Sequence, residues 1–572
     1  MNDTTAPKDP EQKRDFFYII KNKEIYGART EDGRGIQYLY QDCDRLVNSA
    51  QITGGITDEA MLDLLRSVNG LKKLVHSIGV SVTAKEPMEN VSFIFQMYGK
   101  KDLYGGGTQI RAVFHGDGAE QRIYLSDLTW KEDDFIPGQI RVVMEKPGQT
   151  ARLNVRFYLN DGYYAPKINE EEEVEFGSAD YKEMIAGSLV SLGDCTRLKR
   201  AIMRAQNGEE VTIAYIGGSV TQGAGAVPIH KKCYAYLSYC DFKKRYRAGE
   251  NVRFIKAGVG GTPSELGVIR FERDVLRDGR VKPDIIIIEF AVNDQGDETK
   301  GDCYESLIRK ALKLDGQPAV VLLFSVFADD ENLQERMIPI GRHYHLPMVS
   351  IKDAVTSQFY KESGEGRVIT KNQFFYDRYH PTNAGHRVMS DCLGYLWEQA
   401  GIVGEETQEM QSTAQILKKE PLIGNTFEDV RLLDQVNPYD KAEIMPGGFT
   451  ETDPILQCVE MDASLEPVQE FPYNWHYSGK DPGQPYFEMA ITCRALVLIF
   501  KDSGETDAAC ADIYVDGKYI RTADPYVNGW VHCNPMIILN EKNSARHLVK
   551  VAICEPDRNK KCTILGFGYV EA

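Results

Sequence analysis

The sequence contains no apolar run that is long enough to cross a membrane. Its longest apolar stretches, such as residues 319–324 and 285–288, fall far short of the roughly 20 residues that a membrane-spanning helix needs. The N-terminal segment, MNDTTAPKDPEQKRDFFYII, has charges and prolines where a secretory signal would need a long apolar core. These two absences predict a soluble protein with a cytoplasmic location.

The chain also has no excess of positive charge. The chain has 67 lysine and arginine residues against 84 aspartate and glutamate residues, which gives a formal net charge of −17. Nucleic-acid backbones and anionic membrane surfaces attract basic proteins, so the charge argues against both as partners. A neutral substrate such as a glycan fits an acidic protein, and the oligomeric state is left open.

The sequence also lacks cysteines at the spacings of metal-binding or redox motifs. The twelve cysteines include no C-x-x-C pair, and no cysteine–histidine block has the spacing of a zinc site. In a protein without an export signal, the cysteines are most simply reduced thiols. We therefore expect neither a bound metal nor another cofactor.

Three zones of different patterning divide the chain. Residues 1–178 contain short alternating segments such as SFIFQMYG and QIRVVMEK, which are typical of a β-sandwich with helical decoration. Residues 179–404 contain continuous apolar runs between helical stretches, which indicate parallel strands buried on both faces. Residues 405–430 are predicted to be a linker. Residues 431–572 return to short strands with the hairpin signal VDGKY, which predicts a second β-sandwich.

Four loops of the central zone carry side chains that suit ester chemistry. Ser219 follows the apolar run VTIAYI, Gly261 follows VRFIKA, and Asn293 follows DIIIIEF. His380 stands just before a predicted helix, with Asp377 three residues earlier. Because ligands of open α/β sheets bind at the carboxyl ends of the strands, we expect these loops to lie close together.

These residues supply each part that acyl transfer needs. Ser219 is predicted to be the nucleophile, His380 its general base and Asp377 the residue that orients the base. The backbone N–H groups of Ser219 and Gly261 and the side-chain amide of Asn293 are predicted to hold the oxyanion. Alone, Ser219, Gly261 and Asn293 are more simply turn residues, and His380 could equally be a capping or core residue. The combination of four loops favours catalysis.

The four blocks resemble the SGNH (GDSL-type) hydrolase superfamily, whose signature residues would here be Ser219, Gly261, Asn293 and His380. The resemblance covers the central zone and implies a flavodoxin-like α/β/α fold. Gly218 stands where the family usually has aspartate, and Ala291 where its third block usually begins with glycine. The G-x-S-x-G pattern of α/β-hydrolases is absent, because Thr221 occupies its last position.

The flanking zones narrow the class of ester. The last zone is similar to the jelly-roll domain of family 2 carbohydrate esterases, although there it precedes the catalytic domain. The segments GGSVTQG and IEFAVND resemble bacterial enzymes that remove acetyl groups from hemicellulose oligosaccharides. The resemblance implies an O-acetyl esterase that acts on xylo- or manno-oligosaccharides. Trp475 and Tyr477 are predicted to stack on a sugar ring, with packing in the sandwich core as the alternative.

Two other functions stay open. A lipolytic or general short-chain esterase or thioesterase would use the same residues and cleave acyl chains longer than acetyl. A non-catalytic glycan-binding protein would keep the sandwiches and tolerate Ser219→Ala. The complete set of four loops argues against this last alternative, because binding alone does not require it.

Overall fold

The computed structural model describes residues 14–27, 36–39, 41–42, 45–46, 56, 58–101, 105–146, 148–167, 173–362, 364–402, 413–480 and 483–571. Within these ranges, no helix combines the length and the apolar character that crossing a membrane requires.

Two antiparallel sheets pack against each other in the N-terminal region. The strands are β1 (Phe16–Tyr26), β2 (Ile36–Leu39), β3 (Gln41–Asp42), β4 (Arg45–Leu46), β5 (Val75–Ala84), β6 (Val91–Gly99), β7 (Gln109–Phe114), β8 (Gln121–Tyr124), β9 (Asp134–Val143) and β10 (Thr150–Leu159), and the helices are α1 (Glu59–Leu65) and α2 (Val68–Leu74). One sheet has the order β1-β10-β5-β8 and the other β2-β9-β6-β7. Alternation along the strands places Ile78 and Val80 of the first sheet in one buried cluster with Phe93 and Phe95 of the second.

The central region is a six-stranded sheet with helices. The strands are β11 (Leu189–Ser191), β12 (Val211–Gly217), β13 (Val252–Gly258), β14 (Ile285–Glu289), β15 (Ala319–Phe324) and β16 (Met348–Ser350). The helices are α3 (Ala179–Ala186), α4 (Thr196–Gln206), α5 (Ser219–Gln222), α6 (Ile229–Lys232), α7 (Tyr234–Arg245), α8 (Ser264–Asp274), α9 (Asp302–Leu312), α10 (Gln334–His343), α11 (Ile351–Val355), α12 (Lys371–Phe374), α13 (Asn383–Ile402) and α14 (Thr413–Leu417).

The order of the central sheet is β11-β16-β15-β14-β12-β13. The strands β12 to β16 are mutually parallel, and β11 is an antiparallel edge strand. Side chains alternate between two buried clusters, since Ile216 and Ile288 face one cluster and Ile213 and Ile287 the other. Both faces of the sheet are therefore covered, which explains the continuous apolar runs. The predicted α/β domain is confirmed.

The C-terminal region is built around one large antiparallel sheet. Its strands are β17 (Arg431–Leu433), β18 (Ala442–Met445), β19 (Cys458–Val459), β20 (Val468–Gln469), β21 (Trp475–Tyr477), β22 (Tyr486–Asp502), β23 (Ala511–Val515), β24 (Lys518–Ala523), β25 (His532–Ile553) and β26 (Cys562–Val570). The main order is β17-β26-β22-β25-β23-β24, with β18 on β22, β21 on β26, and β19 paired with β20. The jelly-roll topology of this region stays a prediction.

The C-terminal sheet packs directly on the α/β domain. Val497 and Ile499 of β22 join the cluster that covers one face of the central sheet, whereas Leu498 faces a separate core inside the C-terminal region. The segment predicted to be a linker is also packed in its described part, residues 413–430. There Phe427 is fully buried, and the carboxylate of Glu305 accepts hydrogen bonds from three consecutive backbone N–H groups. The linker prediction is wrong for these residues, because polar composition alone does not reveal packing.

Candidate active site

The predicted site residues meet at one edge of the α/β sheet. Ser219 is the first residue of α5, directly after β12, and Gly261 lies between β13 and α8. Asn293 follows β14, which neighbours β12 in the sheet. His380 lies in the loop between α12 and α13, where its carbonyl accepts a hydrogen bond from the Tyr376 N–H at 2.7 Å. The carboxyl ends of neighbouring parallel strands thus bring distant parts of the chain together.

Ser219, His380 and Asp377 form a continuous hydrogen-bonded chain. Nε2 of His380 lies 2.9 Å from Oγ of Ser219, and Nδ1 lies 2.7 Å from Oδ2 of Asp377. Since a carboxylate only accepts hydrogen bonds, Nδ1 carries the proton and Nε2 is left to accept from the serine hydroxyl. The backbone N–H groups of Tyr379 and His380 each donate to Oδ1 of Asp377 at 2.7 Å, which fixes this buried carboxylate.

Gly218 allows the amide of Asn293 to approach the serine turn. A Cβ at Gly218 would lie 2.2 Å from Oδ1 of Asn293 and 2.7 Å from its Nδ2. Oδ1 of Asn293 is buried and has no hydrogen-bond partner in the described part of the chain. In this chain, a side chain at position 218 would therefore displace the Asn293 amide.

Gly261 presents backbone rather than a side chain to the site. Its φ of +70° lies in the left-handed region, which favours glycine. A Cβ at Gly261 would also lie 2.8 Å from Nε2 of His532 and 3.0 Å from Cζ2 of Trp530. Among the residues that the structure describes, no acceptor pairs with the backbone N–H of Ser219 or of Gly261. Both N–H groups can therefore donate to a negatively charged oxygen.

A buried carboxyl group lies next to the serine turn. Glu289, the last residue of β14, is fully buried, and the Thr221 hydroxyl donates to its Oε2 at 3.0 Å. Burial raises the pKa of Glu289 to about 7, although the hydrogen bond from Thr221 and the charge on His380 act in the opposite direction.

The comparison with known families identifies the central domain. Residues 215–388 match the model of the GDSL-like Lipase/Acylhydrolase family. These residues form a GDSL-like acylhydrolase domain. The match includes all the predicted catalytic and oxyanion positions, and it confirms the predicted superfamily. A comparison with curated proteins returns no match.

Solved structures extend the similarity beyond the GDSL-like domain. One is described as a two-domain esterase active on acetylated mannans, co-crystallised with mannopentaose. It has 26% identity to this chain and a TM-score of 0.56, and the alignment covers 70% of this chain and 100% of that one. A second structure, described as a two-domain esterase active on acetylated mannans, has 27% identity and a TM-score of 0.57; the alignment covers 68% of this chain and 99% of that one. With the family match, these similarities show that the protein is a carboxylic ester hydrolase.

The two predicted sugar contacts outside the GDSL-like domain lie in a core. Trp475 and Tyr477 are 6% and 1% exposed, and both pack in the cluster inside the C-terminal sheet. The ring of Trp475 contacts Phe487 and Phe567, and the Tyr477 hydroxyl donates to the Arg558 carbonyl at 2.6 Å. The prediction that they stack on a sugar is wrong, because both rings are used for packing.

Other residues of the C-terminal region reach the GDSL-like domain at Gly261. They are Trp530, which is half-buried, and His532 and Gln457, which are buried. The sequence offers no local signal for them, since His532 lies 271 residues from its hydrogen-bond partner Gly261. The distribution of the four tryptophans also does not distinguish Trp530 from Trp475.

Proposed function

We propose that this protein is a serine esterase that removes O-acetyl groups from acetylated oligosaccharides, with manno-oligosaccharides as its first substrate class. The observation that carries the proposal is the hydrogen-bonded chain from Asp377 through His380 to the Ser219 hydroxyl. A serine whose proton can pass to an oriented imidazole is an activated nucleophile.

In the first half of the reaction, Ser219 Oγ attacks the carbonyl carbon of the acetyl ester while its proton moves to Nε2 of His380. Asp377 stabilises the imidazolium through the hydrogen bond at Nδ1. The negative oxygen of the tetrahedral intermediate accepts from the N–H groups of Ser219 and Gly261 and from the Asn293 amide. The intermediate collapses when the C–O bond to the sugar breaks and the sugar oxygen takes the proton from His380.

In the second half, the acetyl group is attached to Ser219. His380 Nε2 removes a proton from a water molecule, whose oxygen attacks the acetyl carbon. A second oxyanion forms in the same place and collapses when the bond between the acetyl carbon and Ser219 Oγ breaks and Oγ takes the proton from His380. Acetic acid leaves and loses its proton to solvent to give acetate. The account requires no metal or cofactor, and the residues named supply every proton transfer.

The substrate class rests on similarity rather than on the triad. Two solved structures with 26% and 27% identity to this chain are described as esterases active on acetylated mannans, and one of them was co-crystallised with mannopentaose. In this protein the half-buried Trp530 lies beside Gly261 and provides an aromatic surface at the edge of the site. We propose that Trp530 takes the sugar-contacting role that the sequence suggested for Trp475. The cytoplasmic location stays a prediction.

Acetate release tests the proposal against its alternatives. Wild type and Ser219→Ala would be compared on acetylated manno- and xylo-oligosaccharides, with 4-nitrophenyl butyrate as the longer acyl chain. We expect fast acetate release that is lost in Ser219→Ala, with acetylated mannan preferred. Rapid butyrate cleavage without acetate release would favour a general or lipolytic esterase. If neither ester is cleaved, a glycan-binding role would replace the proposal.

A further inference from the structure

We propose that Gln457 of the C-terminal region, assisted by His532, is a positioning residue for ester hydrolysis, because it sets the orientation of the Gly260–Gly261 peptide. The inference rests on the proposed esterase function, in which the Gly261 N–H binds the oxyanion. It makes the C-terminal region a part of the catalytic apparatus.

A hydrogen bond to its carbonyl oxygen fixes the orientation of the Gly260–Gly261 peptide. The carbonyl oxygen of Gly260 and the N–H of Gly261 belong to the same planar, trans unit, so they point in opposite directions. Nε2 of Gln457 donates to the Gly260 oxygen at 2.8 Å. Fixing this oxygen on the side of the C-terminal region therefore fixes the Gly261 N–H on the side of the site. The same hydrogen bond polarises the amide and strengthens the N–H as a donor.

The Gly260–Gly261 peptide needs a constraint from outside its own loop to keep one orientation. It joins two adjacent glycines, and Gly261 is in the left-handed region, so local sterics permit other orientations of the peptide. The flanking groups are tied as well: Oε1 of Gln222 accepts from the Gly260 N–H at 3.0 Å, and Nε2 of His532 lies 3.0 Å from the Gly261 oxygen. Two of these three contacts, from Gln457 and His532, come from the C-terminal region.

The side chains of Gln457 and His532 are themselves held in one orientation by further hydrogen bonds. Oε1 of Gln457 accepts from the Cys533 N–H at 3.0 Å, which assigns the donating Nε2 to the Gly260 oxygen. Since a carbonyl only accepts, His532 must donate to Gly261 from Nε2, and its Nδ1 accepts from the Asn528 amide at 3.3 Å. Burial lowers the pKa of His532 to about 4, so this neutral tautomer persists across the neutral pH range.

The experiment compares Gln457→Met with a matched control, Gln469→Met. Methionine keeps the approximate length of the side chain but cannot donate a hydrogen bond. Gln469 lies in β20 of the same region and also donates to a backbone carbonyl at 2.8 Å, that of Pro454. The substrate is 4-nitrophenyl acetate, which is too small to need a sugar-binding surface. Thermal unfolding of each variant checks that the fold is retained.

We expect Gln457→Met to lower kcat about tenfold to hundredfold, with KM within about threefold of wild type, because the oxyanion forms in both halves of the reaction. The affinity for phenylboronic acid, whose serine adduct carries a negative oxygen, should fall by a similar factor. Gln469→Met should match wild type in both measurements. A folded Gln457→Met with the kcat and boronate affinity of wild type would overturn the inference.

A second pair of variants decides the question if Gln457→Met does not fold. His532→Gln retains a side-chain N–H that reaches the position of Nε2, whereas His532→Leu does not. We expect kcat to be largely kept in the first and reduced in the second, and equal kcat in both would overturn the inference. Failure of the proposed function has a different signature: wild type would then release no acetate from acetylated oligosaccharides, or Ser219→Ala would hydrolyse esters as fast as wild type.

Discussion

Glu289→Gln should reduce the dependence of stability on pH. The Glu289 carboxyl is fully buried at the end of β14, and burial raises its pKa from 4.5 to about 7. Between these two values the folded protein keeps a proton that the unfolded chain has lost. The free energy of unfolding therefore falls as the pH rises through this window, by about 1.4 kcal/mol per pH unit. Glutamine keeps an oxygen that can accept from Thr221 but carries no titrating proton.

The magnitude over the whole window is about 3 kcal/mol, after which the effect is constant. The assay is urea unfolding of wild type and Glu289→Gln at several pH values from about 5 to 8. The difference between the two free energies of unfolding, variant minus wild type, should grow with pH up to about 7 and then level off. Titrating groups that do not interact with Glu289 behave alike in both proteins, so they cancel in this difference. A difference that stays constant from about pH 5 to 8 would refute the reasoning.

The active-site geometry leads to further predictions. Gly218→Ala places a methyl group 2.2 Å from Oδ1 of Asn293, so kcat for acetate release should fall about 100-fold or more as the amide is displaced. Gly296→Ala is the control, because a Cβ there meets nothing within 4 Å and kcat should be unchanged. Asn293→Ala should lower kcat about 100-fold through loss of one oxyanion donor, while substrate affinity by calorimetry changes little. Asp377→Ala should retain more activity in the same assay than Ser219→Ala, and activity equal to wild type would reduce the triad to a Ser219–His380 dyad. Incubation with a chelator should leave acetate release unchanged, and its loss would contradict a metal-free mechanism.

The α/β domain and the convergence of its four loops follow from local patterns in the sequence. Continuous apolar runs identify the buried parallel strands, and each of Ser219, Gly261 and Asn293 stands within four residues of the end of one of them. The strand ends of a parallel sheet share one edge, so the proximity of these loops follows from topology alone. The distances between Ser219, His380 and Asp377 could be read only from the structure. The three-residue spacing of Asp377 and His380 in the sequence was already compatible with a hydrogen bond between them.

The sequence fails where function depends on contacts between distant segments. Trp475 and Tyr477 alternate with His476 in a short strand, and alternation does not tell which face is covered by further strands. All three residues are in fact buried, because β21 pairs with β26 and packs inside the C-terminal core. Gln457 is equally hidden from sequence reasoning, since its partner Gly260 lies 197 residues earlier in the chain.

The most direct test of the account is covalent labelling with a fluorophosphonate, which reacts with activated serine hydroxyl groups. The protein would be labelled to increasing extents, digested and analysed by mass spectrometry, while acetate release is measured on the same samples. The account predicts a label on the peptide that contains Ser219 and a loss of activity in proportion to it. Full acetate release from protein that is completely labelled at Ser219, or inactivation with the label on another residue, would contradict it.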